Sequence, residues 1–414
     1  MCGSSVYVET HISAYGCIEF VPLVDAIRNP YTPGAGTKPP ALAGRDNELE
    51  RFRILIGRLQ ADRHEKSMLI TGLRGVGKTV LLNTFSDIAI EAGWHAATTE
   101  IRQNSELSNV MARLTRRVLL EMSAVERVRD RARRALGVLS AFVVRYGEVE
   151  VRIDVDAIPG IADSGDPEDD LAELLLEVGR VARAGGNGVV FLMDEVQFLE
   201  QADLEALIAA LHRASQEGLP VTVVGAGLPL LPRLVGEARS YAERLFDFRS
   251  IGSLDPGAAR DALVLPAREE GAEWDEAALD VVFGYSDGYP YFLQEYGKHA
   301  WLGANQSPIS VADVERAHPA VLNELDEGFF HVRIERATDA ERKYMAAVAD
   351  LGDGRQRSGA IANRLGYGSS SAISLTRDGL LKKGLIYQPV HGYVDFTVPQ
   401  FAAFIRRHYP LDPE

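Results

Sequence analysis

The chain's 414 residues and 46% hydrophobic content can bury more than one core, so two or three domains are expected and a disordered chain is excluded. A formal charge of −15 excludes a protein that coats nucleic acid with its whole surface. Two cysteines, Cys2 and Cys17, supply neither a disulfide framework nor a zinc ligand set, and no apolar run nears the roughly eighteen residues of a membrane span, so a soluble cytoplasmic protein with no membrane partner is expected.

Residues 1–39 show no sustained periodicity and end in the turn-rich run from Asn29 to Pro40, which reads as a poorly ordered leader. Nothing before Asn29 reads as an element the core needs, which leaves the translation start open. Ala43-Gly44-Arg45-Asp46 then opens a helix with Leu49, Phe52, Ile56 and Leu59 at helical spacing. A short apolar strand follows, Ser67-Met68-Leu69-Ile70-Thr71, and it runs into Gly72-Leu73-Arg74-Gly75-Val76-Gly77-Lys78-Thr79 and then the helical Val80-Leu81-Leu82.

Strand, glycine-rich loop and helix in that order form a phosphate-binding P-loop. Glycines let the backbone curl until successive N–H groups face inward, and the helix N-terminus adds the positive end of its dipole. Residues 72–80 are therefore the candidate binders of ATP, with Lys78 reaching the β and γ phosphates and Thr79 holding Mg²⁺ through its hydroxyl. An accidental Gly-rich turn is the plain alternative. A second motif argues against it: the apolar run Gly188-Val189-Val190-Phe191-Leu192-Met193 ends in Asp194-Glu195. Beside a P-loop, Asp194 would hold the metal and Glu195 would orient and polarise the attacking water.

Candidate strands at Met68–Thr71, His95–Ile101, Val189–Met193, Val221–Gly225 and Phe246–Ile251 alternate with helical segments, which predicts a parallel sheet covered on both faces. An insertion over about residues 105–187 exceeds an ordinary crossover. It carries Arg113, Arg116, Arg117, Arg127, Arg129, Arg131, Arg133 and Arg134, a phosphate-binding run or, more plainly, a solvated face paired with Glu121, Glu126 and Asp130. Residues 141–153 then read as a β-hairpin turning at Gly147.

From Asp255-Pro256 the pattern turns helical to about residue 330, interrupted by Gly288-Tyr289-Pro290. The last eighty residues open on a capping box, Thr338-Asp339-Ala340-Glu341, followed by helices at 359–365 and 369–383 and strands around Val390-His391-Gly392. Helix, helix-turn-helix and hairpin describe a winged helix. In it Ser370, Ser374 and Arg377 could meet a groove of double-stranded DNA, and Lys382 and Lys383 its phosphates. From Glu335 on there are eleven Lys or Arg against nine Asp or Glu, about +2, which leaves about −17 for the rest. DNA contact is thus allowed and not demanded; a protein-docking role is the alternative. His95, His299, His331 and His391 lack metal-ligand spacing and read as structural.

Together these motifs resemble the AAA+ ATPases of the origin-recognition type and the related bacterial and archaeal predicted ATPases, over about residues 40–410. The resemblance implies an α/β fold with a P-loop ATPase domain at 40–252, a helical lid at 253–334 and a winged helix at 335–414. It implies that Gly44 and Arg45 lie near the adenine and that Pro290 packs on the nucleotide, against the plain reading of Pro290 as a helix start. It also makes Arg244, in Tyr241-Ala242-Glu243-Arg244-Leu245-Phe246, an arginine finger toward a neighbouring subunit, against a surface pair with Glu243 or Asp247. Where such ATPases carry a polar γ-phosphate sensor, Gly225-Ala226-Gly227-Leu228-Pro229 offers none. The expected function is ATP hydrolysis as a conformational switch coupled to the winged helix; the alternative is a nucleotide-gated module that hydrolyses slowly or not at all and acts through DNA or protein. A small-molecule kinase is a weaker third reading, since no motif for a second substrate is found.

Overall fold

In a parallel sheet roofed by helices on both faces, the inner strands are buried and mostly apolar, and polar residues gather at the edges. The computed structural model, which describes residues 25–34, 36–37, 39–146 and 153–411, follows that rule. Helix α1 (Asp46–Gln60) leads to β1 (Ser67–Thr71), α2 (Lys78–Glu91) and β2 (His95–Glu100). Helices α3 (Leu107–Ser123), α4 (Arg129–Tyr146) and α5 (Pro167–Gly185) precede β3 (Val189–Asp194). Then come α6 (Gln201–Gln216), β4 (Val221–Gly227), α7 (Leu231–Ala238), α8 (Ala242–Leu245) and β5 (Phe246–Ser250). The strand order is β2-β3-β4-β1-β5, all parallel. Every residue of β1, β3 and β4 is buried, while His-Ala-Ala-Thr-Thr-Glu of β2 and Phe-Asp-Phe-Arg-Ser of β5 take the edges.

All five expected strands are present, but the expected hairpin is not: residues 141–146 continue α4. Buried Ala135, Leu136, Val138, Leu139, Ala141 and Phe142 recur at helical spacing and leave Val144 82% exposed, so the β-branched run is one wet edge of a helix. The turn expected at Gly147 lies outside the described residues, as do Cys2 and Cys17. The insertion joins the main apolar core, with Met111, Val118, Leu139, Leu171 and Leu175 packed in one cluster with Phe191 of β3. Its arginines stay on the outside. Arg117 pairs with Glu121 at 3.4 Å and Arg129 with Glu126 at 2.6 Å, as a solvated face requires.

A separate compact unit joins the described residues before Gly44 to Leu254–Leu325. It holds α9 (Pro256–Glu269), α10 (Glu276–Ser286), α11 (Pro290–Gly303) and α12 (Val311–Glu324). The expectation of an unordered leader over 1–39 fails for its described residues, which begin at Asp25. Tyr31 is 3% exposed, lies edge-on to Trp274 and Trp301 with both ring centroids 6.3 Å away, donates to Leu263 O at 2.5 Å and accepts from Trp274 Nε1 at 2.8 Å. Gly297 leaves the room: a Cβ there would meet the Tyr31 ring at 2.6 Å. Asn29 Nδ2 donates to Lys298 O at 3.0 Å, and Asp25 O accepts from Trp301 Nε1 at 2.8 Å. The turn-rich composition was a sign of irregular backbone, and irregular backbone can still dock an aromatic anchor.

Beyond a π-helical stretch, Leu325–His331, and the short α13 (Val332–Ile334), the chain forms α14 (Asp339–Asp350), β6 (Gln356–Arg357), α15 (Ser358–Arg364), α16 (Ser374–Lys382), β7 (Ile386–Tyr387), β8 (Tyr393–Phe396) and α17 (Phe401–His408). The small antiparallel sheet has the order β6-β8-β7. Strand β6 and helix α17 had no counterpart in the expected elements, being two and eight residues long. Phe330 stacks on Phe401 and Phe404, and Asp326 binds Arg407 at 2.7 Å and His408 at 3.0 Å, which ties α17 to the π-helical stretch. The expected capping box is present: Thr338 and Glu341 satisfy each other's backbone N–H groups. Burial would raise the Glu341 carboxyl, but Lys383 at 2.6 Å and the Thr338 N–H hold it below its ordinary range.

Removing the Tyr31 anchor tests whether residues 25–43 belong to the helical unit. Tyr31→Ala is expected to destabilise it by about 3–5 kcal/mol, the usual loss for a buried aromatic. Urea unfolding followed by tryptophan fluorescence reads this directly, because Trp274 and Trp301 flank the site. An unchanged transition would remove the leader from the core.

Candidate functional site

All strands of the sheet end at the same edge, so the loops after β1 and β3 face each other across the end of β4. The loop after β1 is shaped by glycine at two points. A Cβ at Gly72 would meet Ile251 O at 2.5 Å and Val76 Cγ2 at 2.9 Å, and Gly77, which caps α2, has φ +94°. The loop is anchored by the Gly72 N–H, which donates to Gly227 O at 3.1 Å, and by Val76, buried at 1% exposure. Lys78, at the first position of α2, folds back so that Nζ donates to Gly72 O at 3.0 Å and Leu73 O at 2.8 Å.

Lys78 is 6% exposed and makes no ion pair among the described residues. Burial pulls its pKa down, Glu195 and Asp194 pull it up, and Arg74 pushes it down again. A buried ammonium satisfied by carbonyls alone, at a helix N-terminus, is a seat for an anion. Opposite it, Thr79 Oγ1 donates to Asp194 Oδ2 at 2.5 Å. Asp194 is 6% exposed, and burial lifts its carboxyl above the usual range, with the Thr79 hydrogen bond opposing and the Glu195 charge adding. A hydroxyl and a buried carboxylate in contact fit the small oxygen-ligand share that Mg²⁺ takes from a protein when phosphates and water supply the rest. Among the described residues no cluster of three His, Cys, Asp or Glu could hold a metal by itself.

Glu195 has φ +56° and ψ +37°, and its N–H donates to Asp194 Oδ1 at 2.8 Å. Its carboxylate accepts from Gln197 Nε2, and Gln197 Oε1 accepts from the Leu228 N–H at 3.1 Å. Gln197 was not anticipated from the sequence. Its signal was available in combination only: a polar side chain two residues beyond the acidic pair, opposite a strand end made of glycines.

The remaining expected residues do not join this cluster. Arg45 is 8% exposed, and its guanidinium reaches three carbonyls, Gly44 at 3.3 Å, Val76 at 3.1 Å and Gly252 at 2.6 Å. It clamps the loop to the chain after β5. Arg74, whose charge reaches Lys78, also lies against the C-terminal region: a Cβ on Gly384 would meet its Nη2 at 3.0 Å, and its buried Nε has no hydrogen-bond partner among the described residues. Arg244, on the four-residue α8, is exposed and makes no ion pair among the described residues, because Asp247 is bound by Arg51 at 2.7 Å and Arg249 at 3.0 Å. Pro290 opens α11 after the buried Tyr289, the plain reading of that proline. Of the expected DNA contacts, Lys383 is bound to Glu341 at 2.6 Å and Arg377 to Asp378 at 2.9 Å, while Lys382 is exposed and Ser370 and Ser374 are half-buried.

Residues 41–224 match the family model of the AAA ATPase domain, and residues 327–405 match a domain of unknown function (DUF8462). No curated protein matches. Among solved structures, the Walker-type ATPase of Pyrococcus abyssi is similar at 15% identity and a TM-score of 0.56, covering 88% of this chain and 96% of its own. The ORC2 protein of Aeropyrum pernix, solved in ADPNP–ADP complexes, is similar at 14% identity and a TM-score of 0.51, covering 90% and 96%. At such identities the likeness speaks for the fold, and the fold is that of a P-loop ATPase of the AAA type. No helix among the described residues is long and apolar enough to cross a membrane.

The carbonyl clamp of Arg45 yields a test that separates it from a base contact. Arg45→Met strips a charged donor from three carbonyl acceptors, one of them on the buried Val76, and is expected to cost about 2–3 kcal/mol of stability. Nucleotide affinity should fall by the same factor for ATP and GTP, because a misplaced loop does not read the base. Selective loss of one nucleotide in an equilibrium titration would restore Arg45 to the base.

Proposed function

We propose that the chain, whose residues 41–224 match the AAA ATPase domain model, binds ATP and hydrolyses the β–γ bond as a conformational switch, with the C-terminal region carrying the output. The carrying observation is the bond between Thr79 and Asp194, which brings the loop after β1 and the acidic end of β3 to one point beside Lys78. The ADPNP–ADP complexes of the ORC2 protein support the choice of nucleotide.

Phosphoryl transfer asks a protein mainly for positioning and charge stabilisation. In this reading the amides of residues 72–79 and the helix dipole hold the phosphate oxygens, and Lys78 leaves its two carbonyls for the β and γ phosphates. Thr79 and Asp194 hold Mg²⁺, which when bound neutralises charge developing between the phosphates. Glu195, half-exposed beside the buried Asp194, aims and polarises the attacking water. Arg244, exposed and without an ion pair among the described residues, acts in this reading as a finger toward a second copy. Self-association is therefore part of the proposal.

For the output, the order α14, β6, α15, α16, β7, β8 is read as a winged helix. The surface of α16 shapes the choice of partner. Leu375 is 88% exposed there, Asp378 is exposed beside it, and two of the three expected cations are held in ion pairs. This favours a protein partner over duplex DNA.

Two experiments test these parts. Lys78→Ala should abolish nucleotide binding in an equilibrium assay, and Glu195→Gln should retain ATP while slowing phosphate release by about 10²- to 10⁴-fold, the usual worth of general-base catalysis. Hydrolysis by Lys78→Ala at the parent's rate would sink the assignment. On duplex DNA, binding is expected only at low salt, with a shallow dependence of one or two phosphates; tight binding that persists through 0.2 M salt would reinstate DNA as the target.

A further inference from the structure

Gln197 is held at both ends of its amide. Nε2 donates to the Glu195 carboxylate, and Oε1 accepts from the Leu228 N–H at 3.1 Å. The strand end facing it is cut to its shape. A Cβ on Gly227 would stand 2.5 Å from Gln197 Oε1, and a Cβ on Gly225 would stand 3.1 Å from Val196 Cγ2. Neither glycine has a positive φ, so backbone conformation does not call for them; space does. Gly227 O also accepts from the first N–H of the phosphate loop at 3.1 Å. One run of contacts thus joins the Glu195 carboxylate to the loop through Gln197 and the end of β4.

We infer that Gln197 is the positioning residue for Glu195, supplying from the acidic segment the polar contact that the end of β4 lacks. The inference rests on the reading of Glu195 as the group that aims the attacking water. A free Glu side chain samples several rotamers, and an error of about 1 Å in a reacting group can cost on the order of 10²-fold in rate. An amide that donates to one carboxylate oxygen removes that freedom and leaves the other oxygen for water. Because Gln197 is itself fixed by the N–H of Leu228, the residue that follows β4, the constraint is set from the strand end. Gln197 touches the carboxylate and the strand end, so its loss should act on kcat and not on nucleotide affinity.

Steady-state phosphate release and nucleotide binding are to be measured for the parent, Gln197→Leu, Glu195→Gln and the double variant. Gln197→Leu should lower kcat about 10- to 100-fold with KM for ATP and nucleotide affinity within about twofold of the parent. In the Glu195→Gln background the same change should alter the residual rate by less than about twofold, since residues acting as a unit are not additive. Gly227→Ala is the second route: it leaves Gln197 in the sequence but fills its space, and should also lower kcat with affinity kept. An active parent whose rate survives both Gln197→Leu and Gly227→Ala would falsify the inference alone, as would losses that multiply in the double variant. A parent that releases no more phosphate than Lys78→Ala overturns the hydrolysis reading and this inference with it.

Discussion

The site hangs on a hydrogen bond between residues 115 positions apart, Thr79 Oγ1 to Asp194 Oδ2. Neither strand that delivers these residues pairs with the other; β4 lies between β1 and β3 and sets both registers. Gly225 stands opposite Leu69 on one side and Met193 on the other. A slip of one residue would carry either end by about 3.3 Å, more than the whole length of the bond. Since all three strands are buried on both faces, alternation of polar and apolar residues does not lock the register, as it would in a half-exposed sheet. Size does it instead. A Cβ on Gly225 would come within 2.6 Å of Leu69 Cδ2, so the large residue and the absent side chain must meet in one row.

What could be read from the sequence was what short segments encode. The three inner strands followed from apolar runs, and the loop from its glycines, of which Gly77 meets a local need, a positive φ. The acidic pair was legible because a buried strand that ends in Asp194-Glu195 has few reasons to do so. What escaped was decided by tertiary neighbours. Tyr31 sits in a run of turn residues, and only Gly297, in α11, reveals that a ring must fit there. The apolar run after Leu139 looked like a strand because β-branched residues favour one, yet its burial follows a helix once α3 and α5 supply the partner faces. For Arg45 the family resemblance implied only nearness to a base; the three carbonyls that its guanidinium meets come from three separate segments, which no short stretch of sequence shows.

Charge was the least legible property of all. A count from Glu335 onward treats Lys383 and Arg377 as surface cations, but each already has its carboxylate, and that of Glu341 is itself buried and capping a helix. Conversely, the alternative that paired the finger candidate Arg244 with Asp247 counted a carboxylate that Arg51 and Arg249 already hold across α1 and β5. Net charge over a segment records composition; the charge available to a partner is what remains after the fold has used its share.

The two neighbouring carboxylates at the end of β3 are held by opposite means. Asp194 is buried against a neutral hydroxyl, in surroundings that penalise its charge until a cation arrives, so its role depends on what binds. Glu195 turns out of the strand through a left-handed residue into a half-exposed position, where solvent already supports its charge and the open question is direction. A single amide from the same short segment resolves that question, and the strand end opposite has given up the side chain at Gly227 to admit it. Burial suits the group that must wait for a metal, and an oriented, wet position suits the group that must meet water; a strand of six residues delivers both because the turn after it changes the sign of one dihedral angle.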